Sequence, residues 1–422
     1  MTPPPQAPTS VQLDGYQKFI IALLAFLQFT VVLDFMILSP LGALLMKELE
    51  IPASRFGLVV SAYAFSAGAS GLLAAGFADR FDRKRLLLFF YAGFVLGTLF
   101  CGVAPTYPFL LAARMITGLF GGVIGSISYA IIADLFPPAA RGRVMGVVQT
   151  AFSASQVLGI PLGLFLANRW GWHAPFLLIV GVSTAVGAVI VAKMRPIDGH
   201  LALQTGKDPL RHLAAAMSRS SYLRAYSCTM LLVTGGFMVM PFGSAYLVNN
   251  VKISMEQLPI IYMVTGLFSI VAGPLVGRLS DSIGKFAIFF AGSALSLVMV
   301  IVFTNFGPTP LAIVVAVNVL LMLGVSARMI SASALVSIVP ESADRGAFMS
   351  VNSSIQQIAG GIAAAAAGLI VTRLDDGRLE HYDTVGYVVA ATMVVALFLL
   401  YSVDRYVASK LAAPPNEAKS AA

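Results

Sequence analysis

The 422-residue sequence is too apolar for a soluble globular domain, because charged residues make up 11% of it, against about a quarter in ordinary soluble proteins. Its mean hydropathy is +0.87. The net charge of +8 does not indicate nucleic-acid binding, since the basic residues fall in short loops instead of gathering on one solvated face. Composition therefore predicts a multi-pass membrane protein in the lipid bilayer, with no nucleic-acid partner.

Twelve apolar runs follow one another along the chain, each long enough to cross a bilayer core of about 30 Å, which takes about 20 residues. They cover residues 19–46, 56–78, 86–104, 107–135, 144–167, 174–193, 225–248, 257–277, 286–304, 310–338, 347–372 and 385–403. Residues 1–18 are rich in Pro and polar side chains, and we predict a disordered tail there and no cleavable signal peptide. Residues 404–422 are predicted to form a second disordered tail.

The runs divide into two six-helix bundles, predicted at residues 19–194 and 225–403. The longest polar connection, residues 195–224, falls between the sixth and seventh runs and is predicted to be a cytoplasmic linker. We therefore predict an all-α membrane protein with twelve transmembrane helices in two bundles.

A repeated loop indicates that the two halves arose by duplication. Asp79 corresponds to Asp281 at an offset of 202 residues, and Arg141 corresponds to Arg345 at an offset of 204. Parallel repeats of this kind place a binding site near the midplane between the halves, which is the usual arrangement for alternating access.

The distribution of Lys and Arg predicts that both termini are cytoplasmic. Basic residues are retained preferentially on the cytoplasmic side. With the termini on that side, cytoplasmic segments hold 19 of the 27 Lys and Arg residues and external loops hold six. The remaining two, Arg114 and Arg328, fall within predicted helices.

Asp34 and Arg114 are predicted to lie at a common depth in the membrane. At 1.5 Å per residue, they lie roughly 22 Å and roughly 20 Å from the cytoplasmic edge. A charge buried in hydrocarbon is costly, so each is a functional candidate with an expected partner. The protonation of a carboxylate in an apolar cavity changes as a guanidinium approaches or leaves, as a proton-coupled carrier needs. The alternative is a static ion pair joining the first helix to the fourth.

Arg328 has two interpretations. It either faces the central cavity, where it can bind an anion, or extends its side chain toward the cytoplasmic edge.

No metal or cofactor is predicted, since Cys101 and Cys228 lie singly in apolar runs and all four His residues lie in loops. No pattern of an intramembrane enzyme is present in the sequence either.

The basic loop at residues 79–85 is predicted to be one side of a cytoplasmic gate. Asp79 of this loop recurs as Asp281 in the second half, although the orientation of the chain in the membrane does not require an acidic residue there. Asp134 ends the fourth helix on the same side and can pair with Arg80 or Arg83. Asp79 can bond to the start of the eleventh helix. The predicted gate residues are Asp79, Arg80, Arg83, Lys84, Asp134, Asp281 and Arg345. The alternative is a solvated cluster that only sets topology.

The loop resembles the signature of the major facilitator superfamily, Gly-x-x-x-Asp-Arg/Lys-x-Gly-x-Arg/Lys-Arg/Lys. The matching residues are Asp79, Arg80, Lys84 and Arg85, whereas Ala75 and Asp82 replace the two glycines. The segment Arg114–Gly122, which includes Gly118, is similar to the fourth-helix motif that is associated with proton transfer in this family. The resemblance covers essentially the whole chain. It implies two pseudo-symmetric bundles in a monomer, located in the inner membrane of a bacterium.

The fifth helix is similar to the antiporter motif of drug:proton antiporter families in Gly159, Pro161 and Gly163, although Ser155 stands where the motif has a glycine. Small residues also let membrane helices pack closely and Pro161 permits a kink, so a plain packing seam is the alternative.

The predicted substrate cavity combines polar side chains with an adaptable apolar wall from the seventh helix. Its predicted members are Gln149, Gln156, Phe237, Met238, Tyr246, Asn318, Arg328, Asn352 and Gln356. Aromatic and Met side chains in membrane helices also face lipid or the core, which is the alternative for each.

Together these features predict a proton-coupled transporter that exports small organic molecules or drugs by alternating access. Sugar or metabolite efflux or uptake on the same fold is the second hypothesis. A receptor or scaffold that transports nothing is a remote third, and an enzyme is not expected.

Overall fold

The computed structural model describes residues 13–199, 201, 217–341 and 344–412. Within these ranges, twelve helices are long and apolar enough to cross a membrane, which confirms the predicted fold class. They are α1 (Gly15–Ile37), α2 (Ala53–Phe77), α3 (Arg83–Gly102), α4 (Tyr107–Leu135), α5 (Pro138–Ala154, a π-helical turn Ser155–Gly159, and Ile160–Trp170), α6 (His173–Lys193), α7 (Ser220–Asn249), α8 (Leu258–Ile283), α9 (Lys285–Thr304), α10 (Leu311–Val336), α11 (Arg345–Ile370) and α12 (Tyr382–Ala412).

The first helix begins and ends at clear local signals. Asp14 Oδ1 accepts a hydrogen bond from the backbone N–H of Gln17 at 2.6 Å, and the Gln17 side chain accepts from the backbone N–H of Asp14 at 3.1 Å, a capping box. At the other end, Pro40 has no N–H to continue the helix and restricts the residue before it. The apolar run predicted at residues 19–46 is therefore divided, and a separate short helix follows at Gly42–Glu48.

Three boundaries differ from the predicted ones. Residues 15–18, assigned to the tail, belong to α1. Residues 404–412, also assigned to a tail, continue α12, and α7 begins at Ser220 inside the predicted linker. Residues 1–12, 200, 202–216 and 413–422 of the predicted tails and linker lie outside the described residues.

A two-stranded antiparallel hairpin joins α11 to α12, with β1 at Thr372–Arg373 and β2 at Leu379–Glu380. No strand was predicted in this loop. In its turn, the backbone N–H and the guanidinium of Arg378 hold the pKa of Asp376 below its ordinary value.

Glycines bring α4 against α2. A Cβ on Gly122 would lie 2.5 Å from Cα of Ala67, and a Cβ on Gly118 would overlap the carbonyl oxygen of Tyr63. The two backbones can approach this closely only because both positions lack a side chain.

The two bundles meet on the membrane face opposite the chain termini, which we call the distal face; the other is the termini face. Ser61 Oγ of α2 donates to the carbonyl of Gly361 of α11 at 2.8 Å. Ser244 Oγ of α7 donates to the carbonyl of Ser39 at 2.8 Å, and the Arg373 guanidinium donates to the carbonyl of Met46 at 2.7 Å. These bonds close the distal side of the interface.

Candidate functional site

A cavity of about 650 Å³ lies between the bundles. Its walls come from the parts of α2, α4, α7, α10 and α11 that are nearer the termini face, together with single residues of α1 and α5. Among the described residues, no ionised side chain lines it; the polar lining consists of amides and hydroxyls. Representative members are Gln28, Tyr129, Gln149, Thr229, Asn352 and Gln356. Since the distal side is closed by contacts between the bundles, the cavity is accessible from the termini face.

Three of the predicted cavity residues, Gln149, Asn352 and Gln356, line this cavity. Asn352 also accepts a hydrogen bond from Thr229 Oγ1 at 2.8 Å, which joins α7 to α11 beside the cavity. Gln28 was missed, although a polar amide within an otherwise apolar first helix was a usable signal.

Six of the predicted cavity residues do not line the cavity, and Arg328 is treated separately below. Gln156 lies half-buried in the π-helical turn of α5. Phe237 packs against Phe35 with ring centroids 5.8 Å apart, on the distal side of the cavity, and Met238 is buried in the core. Tyr246 donates its hydroxyl to the carbonyl of Phe306 at 2.7 Å near the distal face.

Asn318 is the fifth residue outside the cavity, and it packs inside the C-terminal bundle. Its amide donates to Thr265 Oγ1 at 3.1 Å, between α10 and α8. Helix periodicity identified polar and aromatic positions but not the depth at which each helix faces the cavity.

Asp34 and Arg114 form an ion pair inside the N-terminal bundle. Arg114 Nη1 lies 2.7 Å from Asp34 Oδ2, and the two side chains are 1% and 0% exposed. Thr98 Oγ1 of α3 donates to Asp34 Oδ1 at 3.1 Å. The guanidinium lies over the ring of Tyr63 of α2, 4.6 Å from its centroid. Four helices therefore enclose the predicted pair.

The hydrogen bonding of this pair is incomplete. Nε of Arg114 is buried and has no hydrogen-bond partner. A guanidinium carries five N–H donors, so a single carboxylate oxygen and a carbonyl 3.5 Å away leave much of its capacity unused. The carboxylate of Asp34 is the only acidic group paired with this cation among the described side chains.

Arg328 lies within the C-terminal bundle and is 2% exposed. Its guanidinium carbon lies 5.8 Å from the ring centroid of Phe289 of α9. It does not form part of the cavity surface, so the predicted position in the cavity is not observed.

Of the predicted gate residues, Arg83 and Asp134 are brought together. Arg83 Nε lies 2.9 Å from Asp134 Oδ2, and Arg83 is largely buried. Arg80 ends a short 3₁₀ turn and is exposed. The side chain of Asp79 lies outside the described part of the structure.

Lys84 and Asp82 join the loop to α6 within the same bundle. Lys84 Nζ donates to the carbonyl of Met194 at 2.6 Å, where the positive charge suits the end of a helix. Asp82 caps α3 by accepting from the backbone N–H of Arg85 at 2.8 Å and also accepts from that of Ile197 at 2.6 Å. Asp82, which stands where the family pattern has a glycine, therefore acts as the N-terminal cap of α3.

The second copy of the loop is exposed. Asp281 forms an i,i+4 pair with Lys285 at 3.6 Å and its side chain is 78% exposed, and Arg345 is exposed at the start of α11. A cluster that sequence patterns did not identify lies nearby, where Arg219 pairs with Asp344 at 2.6 Å and with Glu341 at 3.0 Å. The Arg83–Asp134 contact joins two parts of the N-terminal bundle, as predicted for Asp134. The predicted contact between Asp79 and the start of α11, which would join the two bundles, involves a side chain outside the described part of the structure.

The small residues of α5 pack against α1. A Cβ on Gly159 would lie 2.6 Å from Leu33 Cδ1, and one on Gly163 would lie 2.5 Å from Ile37 Cδ1. Pro161 is the second residue after the π-helical turn, where the altered register accommodates its missing N–H. Ser155 Oγ donates to the carbonyl of Phe29 at 3.1 Å, so the turn is tied to α1.

Sequence comparison decides the family. The profile described as Major Facilitator Superfamily matches residues 24–225 and 225–421. The chain belongs to the major facilitator superfamily. It is therefore a multi-pass membrane transporter whose substrates are small molecules.

Two curated relatives from bacteria give finer similarities. The "Uncharacterized MFS-type transporter YceJ" of Bacillus subtilis (strain 168) is 29% identical over 63% of this chain and 68% of its own length. The "Probable sugar efflux transporter" of Helicobacter pylori (strain ATCC 700392 / 26695) is 25% identical over 58% of this chain. The alignment covers 61% of the Helicobacter protein.

Solved structures share the fold of this superfamily member. A bacterial homologue of the human lysosomal transporter Spinster, in an inward-facing and occupied conformation, superposes with a TM-score of 0.75 at 13% identity, covering 93% of this chain and 98% of that one. The nucleoside transporter NupG gives a TM-score of 0.73 at 14% identity, covering 92% and 99%. At these identities the likeness concerns the fold alone.

Proposed function

We propose that this protein is a proton-coupled secondary active transporter that exports small organic molecules by alternating access. In this proposal it acts as a monomer in the inner membrane of a bacterium, with both termini in the cytoplasm. The observation that carries the proposal is the fully buried ion pair between Asp34 and Arg114.

The pair suits proton coupling because a carboxylate that can be protonated joins α1 to α4. Arg114 on α4 contacts Asp34 on α1 through one short hydrogen bond, with Thr98 of α3 as the second donor to the carboxylate. Protonation of Asp34 removes the negative charge and leaves the guanidinium buried without a counter-charge, which is strongly unfavourable. The protonated state therefore favours a different arrangement of α1 and α4, and release of the proton favours the present one.

Alternating access then requires the distal contacts to open and a contact on the termini face to form. In the present arrangement, the bonds of Ser61 and Ser244 close the distal side. We propose that the loop containing Arg80 and Arg83, with Asp134, contributes to the closed termini face. The burial of Arg83 against Asp134 supports this role, since a cluster that only set topology would be solvated.

The nature of the cavity favours sugars or related polar metabolites over large lipophilic drugs. Its polar lining consists of neutral amide and hydroxyl groups, such as those of Gln28, Gln149 and Asn352. Such groups both donate and accept hydrogen bonds, as hydroxyl-rich ligands require. The relative named as a sugar efflux transporter is consistent with this second candidate.

The proposal is tested in proteoliposomes containing purified protein and loaded with candidate sugars and small organic molecules. An imposed pH gradient should drive flux of at least one substrate in the wild-type protein. Asp34→Asn should lose the dependence on the gradient, whereas the matched control Asp375→Asn, in the exposed distal hairpin, should keep it. Gradient-dependent flux that persists unchanged in Asp34→Asn would refute proton coupling through this residue.

A further inference from the structure

The C-terminal bundle contains a buried cation that has no hydrogen-bonded counter-ion among the described side chains. Arg328 is 2% exposed, and its Nε and Nη2 atoms have no hydrogen-bond partner. The described acidic residues from α7 to α12 lie in loops or toward helix ends, and the ion pairs that they form are with other cations. Arg114 in the other bundle has Asp34, whereas none of the described carboxylates takes the equivalent position at Arg328.

The surroundings of the guanidinium are apolar. Phe289 of α9 provides a cation–π contact at 5.8 Å. A Cβ added to Gly235 of α7 would lie 3.9 Å from Nη1, 3.2 Å from Val389 Cγ1 and 3.6 Å from Met393 Cε, so α12 lies on the remaining side. A ring face attracts the charge but accepts no strong hydrogen bond, so the N–H groups remain unsatisfied.

Arg328 lies beside the deep end of the cavity. Met329, the next residue of α10, lines the cavity, as does Ala332, which is four residues after Arg328 on the same face of the helix. Likewise, Leu232 lines the cavity from α7, and Gly235 is about one turn further toward the distal face. To reach a ligand in the cavity, the Arg328 side chain has to move past residue 332, which has only a methyl side chain.

The unsatisfied atoms match a carboxylate in geometry. Nε and Nη2 carry parallel N–H groups along one edge of the guanidinium, and this edge binds both oxygens of a carboxylate at once. The cavity itself supplies no other ionised side chain from the described residues. An acidic ligand would therefore have one charged contact, at the deep end, and neutral polar contacts elsewhere.

We infer that Arg328 binds the carboxylate of an acidic substrate, so that the transported molecules are small organic acids such as sugar acids. This inference rests on the proposed function for its role in transport, but binding needs neither a proton gradient nor flux. Carboxylate binding compensates a buried charge that is otherwise unpaired, and this gives the site a preference for anions over neutral analogues.

Matched probes test the inference on purified full-length protein in detergent. Glucuronate is compared with glucose, and benzoate with benzyl alcohol, by titration of the thermal unfolding midpoint and by calorimetry. We expect at least one acid to bind and its neutral counterpart to bind about tenfold more weakly or not at all. Arg328→Gln should lose about tenfold or more in affinity for the acid, Arg328→Lys should lose less, and the exposed control Arg405→Gln should bind as the wild-type protein does.

Two results would overturn the inference. One is that neither acid binds more tightly than its neutral counterpart in the wild-type protein. The other is that chloride or inorganic phosphate binds at Arg328 as tightly as the carboxylates, which would make the site one for inorganic anions.

The ligand-free variants provide an independent check. If Arg328 is uncompensated, Arg328→Gln should unfold at the same or a higher temperature than the wild-type protein, and a large decrease would show a structural role instead. Acid binding retained in Asp34→Asn, together with unchanged proton dependence of flux in that variant, would refute the proposed coupling while leaving this inference intact.

Discussion

Neutralising both members of the buried pair should destabilise the N-terminal bundle by clearly less than the sum of the two single neutralisations. Asp34→Asn keeps the size of the side chain and an oxygen that can accept from Arg114, so the change isolates the charge. Both partners are at most 1% exposed at a separation of 2.7 Å, so water cannot replace the lost partner. Breaking a buried pair from one side costs about 3–5 kcal/mol.

A double-mutant cycle measures this effect. Asp34→Asn, Arg114→Gln and the double variant are purified in the same detergent, and unfolding is followed by denaturant titration. We expect each single variant to lose about 3–5 kcal/mol and the double variant to lose clearly less than their sum. Asp375→Asn, exposed in the distal hairpin, should change stability by less than about 0.5 kcal/mol. Additive losses in the double variant would show that the charges are not coupled and would refute the argument.

Three further predictions concern packing, the gate and access. Gly122→Val should destabilise by about 1–3 kcal/mol or prevent folding because its side chain overlaps α2, whereas Gly125→Ala meets nothing within 4 Å and should have little effect on the thermal midpoint. Asp134→Asn should slow transport and lower stability, while Asp281→Asn, whose pair is exposed, should change stability by less than about 1 kcal/mol; equal effects would contradict the difference in burial. Asn352→Cys in a cysteine-free background should react with a membrane-impermeant thiol reagent applied from the termini face and not from the distal face, and equal labelling from both sides would contradict the closed distal interface.

The close contact between α2 and α4 was predictable from Gly118 and Gly122, because the absence of a side chain at helical spacing indicates close approach regardless of the partner. The identity of the partner was not predictable in this way. Tyr63 and Ala67 give no signal in the sequence that distinguishes them from other small or aromatic residues of α2.

The cavity shows the limit of periodicity most clearly. Thr229, Phe237 and Tyr246 all belong to α7, yet Thr229 lies beside the cavity, Phe237 lies in the distal interface and Tyr246 lies near the distal face. A helix of this length crosses the whole membrane, and a cavity open to one side touches only part of it. Which part it touches depends on how the bundles are tilted, and the sequence of α7 carries no local signal for this tilt.

By itself, the sequence determined the number of membrane helices, since the bilayer requires each crossing to be a long apolar run with its hydrogen bonds satisfied internally. It also determined the pairing of Asp34 with Arg114, because charges at membrane depth are rare and two opposite charges at one depth have few other partners. Only the tertiary structure decided that the bundles close on the distal side, that Arg83 selects Asp134, and that no carboxylate of the described residues pairs with Arg328. These features depend on the angle and distance between helices far apart in the chain, which arise from packing many side chains together and are not encoded in any single segment.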